Sequence, residues 1–137
     1  MSTETVRFTG AQGDTLSARL ELPTETPIGF ALFAHCFTCT KNIKAAVNIS
    51  RAMADRGIGV LRFDFTGLGE SEGEFAETNF TSNVDDVVAA ARYLEREWQA
   101  PTLLVGHSLG GSAVLVAAGR LPSVRAVATL GCSAPQT

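Results

Sequence analysis

Four stretches of the chain, Ile28 to Ala34, Ile58 to Phe63, Thr102 to Val105 and Val124 to Leu130, are apolar almost without interruption. Such runs predict strands of a parallel sheet buried on both faces. Parallel strands need crossovers, and the segments between the runs carry helical periods. Asn42 to Arg56 places Ile43, Ala46, Val47, Ser50 and Met53 on one face and stops at Gly57. Ser82 is placed to cap a second helix, with Asp85 and Asp86 in its first turn complementing the dipole. Its apolar positions, Val84, Val87, Val88, Ala91, Leu94 and Trp98, follow the helical period. Leu109 to Arg120 is apolar almost all round, which predicts a helix packed deep against the sheet. Ahead of these, Thr5 to Thr9 and Thr15 to Leu22 flank the turn-rich Gly10-Ala11-Gln12-Gly13-Asp14 and read as an antiparallel hairpin. The fold class is therefore α/β: an N-terminal hairpin, then a mostly parallel sheet flanked by helices on right-handed crossovers.

A chain of 137 residues is expected to form one domain, 1–137, with 45% apolar and 18% charged residues excluding disorder for its body. A net charge of -3 argues against nucleic acid or an anionic membrane as partner and favours a small molecule or another protein. There is no apolar run of membrane-spanning length, and the start is polar, unlike a secretory signal, so a cytoplasmic protein is expected. Three cysteines, Cys36, Cys39 and Cys132, are too few for a disulfide framework.

The chemistry-bearing motif is Gly106-His107-Ser108-Leu109-Gly110-Gly111, which follows a predicted strand and opens a helix. It matches G-x-S-x-G in the strand-turn-helix context that gives this pattern meaning. The turn is so sharp that the serine sits in a strained backbone conformation, and glycines two positions either side let strand and helix approach. Ser108 is thereby lifted clear of the sheet at a helix N-terminus, where the N–H of Leu109 and the dipole can stabilise a developing oxyanion.

Around this elbow the chain resembles the α/β-hydrolase superfamily from the first hairpin to the last strand. His35-Cys36-Phe37 looks like the family's His-Gly-x oxyanion loop with Cys36 in place of glycine, and Asp64-Phe65-Thr66-Gly67-Leu68-Gly69-Glu70-Ser71 looks like its D-x-x-G-x-G-x-S loop. The His-Cys-Phe-Thr-Cys wording is also similar to hydrolase domains that precede OsmC-like domains in some bacteria. The resemblance implies Ser108 as nucleophile, the N–H groups of Phe37 and Leu109 as oxyanion donors, and Gly106 and Gly110 as the elbow glycines. The implied reaction is hydrolysis of small carboxylic esters through an acyl-enzyme.

The family orders its triad Ser, then Asp or Glu, then His, yet residues 109–137 contain no Asp, Glu or His. In family terms this is a minimal, truncated fold without a lid, ending after the sixth strand, and short acyl esters are the expected substrates. Three outcomes are open. The chain is a catalytically weak or inert, ligand-binding fragment. Or Ser108, His35 and Asp64, ending three adjacent strands in the family's order, form a substitute row. Or assembly completes the site: Val124 to Leu130 becomes a flat apolar sheet edge that predicts a homodimer or larger homo-oligomer. His107 is a poorer base than His35, because neighbouring residues on a strand end point to opposite faces.

Rival chemistries are weaker. Cys36-x-x-Cys39 between strand and helix could act as a thiol redox pair, but the hydrolase loop accounts for its position. Gly67-x-Gly69 with Gly73 misses the dinucleotide spacing, and two histidines and three cysteines show no further ligand spacing, so no cofactor and no metal is expected. Phe30, Phe33, Phe63 and Phe65 are expected in the core or a pocket wall.

Overall fold

A computed structural model of the chain describes residues 1–35 and 41–131. Its elements are β1 (Ser2–Thr9), β2 (Thr15–Leu22), β3 (Gly29–Ala34), α1 (Lys44–Asp55), β4 (Ile58–Phe63), a 3-10 turn at Phe75–Glu77, α2 (Phe80–Glu97), β5 (Leu103–His107), α3 (Leu109–Ala118) and β6 (Ala126–Leu130). The six strands lie in the order β1-β2-β4-β3-β5-β6. The β1–β2 and β2–β4 pairs are antiparallel and the rest are parallel. This is the hairpin-plus-parallel sheet that the apolar runs predict.

The strand β3 shows why those runs are continuous. Its alternate residues Phe30, Leu32 and Ala34 join the core under α2 and α3, with Leu61, Leu104, Val87, Leu94 and Val114. Ala31 and Phe33 point the other way and pack with Ala46 of α1, Val60 and Val105. Both faces of the strand are dry, so neither parity can be polar. All four predicted core phenylalanines are buried.

Some details depart from expectation, among them Trp98, which is exposed and not on the buried face of its helix. Helix α2 begins earlier than Ser82: Asn79 is its cap, accepting from Ser82 N–H at 2.8 Å, while Ser82 Oγ accepts from Asn79 N–H at 2.9 Å. Serine at the third helical position gives the reciprocal bond that glutamate usually gives, so the box is easily overlooked. Asp86 does not serve the dipole; it is buried and accepts from Thr66 N–H at 2.9 Å, Thr66 Oγ at 2.8 Å and Ala11 N–H at 3.0 Å. Finally, α3 is not covered all round, since Leu115 and Val116 are 49% and 45% exposed.

The register aligns the strand ends that matter. Ala34 lies beside Phe63 on one side and Gly106 on the other. His35 and Asp64 therefore leave the sheet level with His107, and Ser108 follows one residue later.

Candidate active site

The turn at Ser108 is built from backbone collisions. Ser108 has φ 58° and ψ -122°, and it is the one non-glycine residue with positive φ among the described residues. A β-carbon on Gly106 would collide with the backbone of Gly110 and Gly111, and one on Gly110 would collide with the carbonyls of Ala34 and His35. No side-chain rotation relieves a clash with backbone, so the motif needs both glycines. The strained serine is held from both sides: its N–H donates to the Leu130 carbonyl at 2.8 Å, and its carbonyl accepts from Gly111 N–H at 2.9 Å. Ser108 remains half-buried rather than covered. Leu109 is the first residue of α3, so its N–H has no intrahelical acceptor and is available to an oxyanion.

Beside the elbow, Asp64 gathers donors from three directions. Its Oδ1 accepts from Lys41 N–H at 2.7 Å and lies 3.3 Å from His35 Nε2. Its Oδ2 accepts from Lys41 Nζ at 2.5 Å and from Glu70 N–H at 3.0 Å. Gly69 makes the last bond possible, because a β-carbon there would fall on the Asp64 carboxylate. Burial raises the Asp64 pKa, but the hydrogen bonds from His35, Lys41 and Glu70 outweigh it and hold the carboxyl far below the usual carboxylate range. Ser71 ties this loop to the hairpin, donating to the Asp64 carbonyl at 2.6 Å and accepting from Ser17 N–H at 2.9 Å.

A second buried pair supports the first. Arg62 Nε donates to the Lys41 carbonyl at 2.8 Å, while its other end donates to Glu21 Oε2 at 2.6 Å. Burial raises the Glu21 pKa, yet hydrogen bonds from Thr3 and Arg62 and the charges of Arg62 and Arg51 bring it down. Lys41 Nζ also reaches Glu70 Oε1 at 2.8 Å, and Arg19 approaches that oxygen at 3.2 Å. Lys41's hydrogen bond and charge, followed by the charge of Arg19, lower the Glu70 pKa.

Of the sequence-predicted residues, the structure brings His35 and Asp64 together, both fully buried, with the His35 ring edge-on to Phe65 at 5.6 Å between centroids. Ser108 follows the end of the neighbouring strand β5 by one residue. His107 is half-buried, with Nδ1 enclosed and unpartnered among the described residues. Phe37, Cys36 and Cys39 lie outside the described residues. A cleft of about 470 Å³, lined by Met1, Thr24, Ile28, Ala54 and Gly57, lies at the opposite end of the sheet, where β3 and β4 begin. Lys41, Arg62 and Glu21 escaped the sequence reading. Arg62 inside the run Ile58 to Phe63 was the available signal, since an arginine in a doubly buried strand requires a buried partner.

Comparison with known proteins follows the same outline. The family model described as serine aminopeptidase, S33, matches residues 33–137. The mitochondrial palmitoyl-protein thioesterase ABHD10 of Rattus norvegicus is 33% identical over 100 residues, which are 73% of this chain and 32% of the relative. The solved esterase domain of a Rhodothermus marinus protein is 52% identical at a TM-score of 0.80, covering 96% of this chain and 51% of that domain. Mouse alpha/beta hydrolase domain-containing protein 10 superposes at a TM-score of 0.77 with 25% identity, over 92% of this chain and 48% of its own. The chain thus spans about a third of the curated relative's length and about half of each solved structure's. Among the described residues no helix is long and apolar enough to cross a membrane.

Proposed function

Because the chain belongs to the serine aminopeptidase S33 family of α/β hydrolases, we propose that it hydrolyses small acyl esters and thioesters through a covalent intermediate on Ser108. The observation that carries this reading is the strained, half-buried serine at φ 58° between two glycines that no other residue can replace. Backbone strain of this kind costs about 1–3 kcal/mol and persists where the surrounding structure enforces it. The relatives named as an esterase domain and a thioesterase support an acyl carbonyl as the reacting group.

In this mechanism Ser108 Oγ attacks the acyl carbonyl as its proton passes, through solvent, to the departing alcohol or thiol, and the developing oxyanion is held by Leu109 N–H and the amino end of α3. Collapse of the tetrahedral intermediate breaks the bond to the alcohol or thiol, which leaves with a proton. Water then adds to the acyl-serine, releasing the acid and restoring the hydroxyl. Asp64 braces the strand ends in this reading: its two oxygens already serve Lys41 and Glu70 as well as His35.

The 3.3 Å contact between His35 and Asp64 favours a second reading, in which His35 takes the Ser108 proton and Asp64 orients it. Turnover of p-nitrophenyl acetate tests both. Ser108→Ala abolishes it in either case. His35→Gln, measured on folded protein, lowers kcat about 1000-fold if His35 is the base, whereas a modest loss assigns His35 to bracing. A folded wild-type chain without Ser108-dependent turnover contradicts the enzymatic reading and favours an inert, ligand-binding module.

A further inference from the structure

Lys41 is fully buried, side chain included, and no motif points to it. Burying an ammonium is expensive, and a buried ion pair is often no better for stability than well-packed apolar residues. Its worth here must be sought in the geometry that it fixes.

That geometry leads to the elbow. The N–H of Lys41 and its Nζ take different oxygens of Asp64, at 2.7 and 2.5 Å. Its carbonyl is gripped by Arg62, which Glu21 holds from β2. The backbone at Lys41 is thus fixed at both its N–H and its carbonyl. The same Asp64 meets His35, whose carbonyl abuts Gly110 so closely that a β-carbon there has no room. One carboxylate therefore ties Lys41 to His35, and His35 abuts the turn that carries Ser108.

We propose that Lys41 is a positioning residue for acyl transfer at Ser108, fixing through Asp64 the end of β3 at His35 against the Ser108 turn. This rests on the Ser108 reading and adds to it the element that aligns the site. An interaction realised in the transition state changes kcat and leaves KM nearly untouched.

The test measures p-nitrophenyl acetate kinetics and melting temperature for the wild-type chain, Lys41→Met and the double variant Lys41→Met/Asp64→Asn. Lys41→Met should lower kcat about 100-fold, the effect of an ångström-scale misplacement, with KM within about twofold. It should also melt earlier, because Asp64 is left without its cation. The double variant removes both charges and should regain much of the melting temperature while kcat stays low. Should Lys41→Met fail to fold, a folded double variant with wild-type kcat still overturns the proposal. A folded Lys41→Met with kcat within about threefold of wild type overturns the proposal. So does a double variant that recovers stability and kcat together, the mark of a purely structural residue. A wild-type chain with no Ser108-dependent turnover overturns the Ser108 reading and this one with it, a result distinguishable from equal activity in wild type and variant.

Discussion

The elbow at Ser108 and the cluster around Asp64 lie side by side at the same edge of the sheet, yet opposite kinds of force hold them. At the elbow there is no charged side chain in the motif; glycines, carbonyls and a left-handed serine fit by exclusion of volume. Around Asp64, although Gly69 must make room for the carboxylate, the arrangement is set by ions: Lys41, Glu70, Arg62 and Glu21, three of them fully or nearly fully buried with Asp64 itself. Steric fit is indifferent to pH and salt, whereas a buried charge cluster depends on every member's ionisation. The strand ends thus combine a rigid serine turn with a neighbour that acid can loosen.

This contrast can be broken most forcefully at Asp64. Asp64→Asn leaves the Lys41 ammonium buried without its main partner and should cost about 3–5 kcal/mol at neutral pH, measured by urea denaturation. The sign of the pH dependence follows from the depressed carboxyl. Its stabilising contribution is present above the ordinary carboxylate range and is lost as pH falls below about 4, towards the folded-state value. The gap between wild type and Asp64→Asn should therefore narrow on acidification, and a constant gap would contradict the charge-based account.

Gly110→Ala probes the steric half. The added methyl meets the Ala34 and His35 carbonyls and should cost about 1–3 kcal/mol, with no dependence on pH between 4 and 7. A pH-dependent loss would show that the two regions are one electrostatic unit. A control away from both is Asn79→Ala, which removes the side-chain bond to Ser82 N–H and should cost about 1 kcal/mol in thermal melts, with turnover unchanged.

The open side of β6 sharpens the contrast differently. Among the described residues β6 pairs with β5 alone, and Ala126, Ala128 and Leu130 are exposed. We propose that this apolar edge pairs with a second copy of the chain. Light scattering should give the mass of a dimer or larger, and Ala128→Lys should shift it to the monomer. A wild-type monomer would contradict self-pairing at this edge.

The two halves also differ in how far the sequence discloses them. The glycines of Gly106-His107-Ser108-Leu109-Gly110 act on residues nearby in the chain or directly across the sheet, so a short motif reports them faithfully. The strand order, and with it the placement of His35, Asp64 and Ser108 at the ends of adjacent strands, is what the family resemblance implies, and the sheet has that order. The ion cluster is different. Glu21 and Arg62 sit on antiparallel neighbours, with Arg19 directly opposite Arg62, a pairing of like charges that discourages any cross-strand prediction. Each arginine instead turns to a different acid, Glu70 or Glu21, at a distance along the chain that periodicity cannot encode. Asp86 was misread for the same reason: its partners Ala11 and Thr66 come from two separate loops.

Whether the strained serine is a nucleophile is decided by a fluorophosphonate probe on the folded chain, followed by mass spectrometry of the labelled peptide. The expected result is a single adduct on Ser108, lost in Ser108→Ala. Folded wild-type protein that takes up no label, or carries it on another residue, would contradict the account.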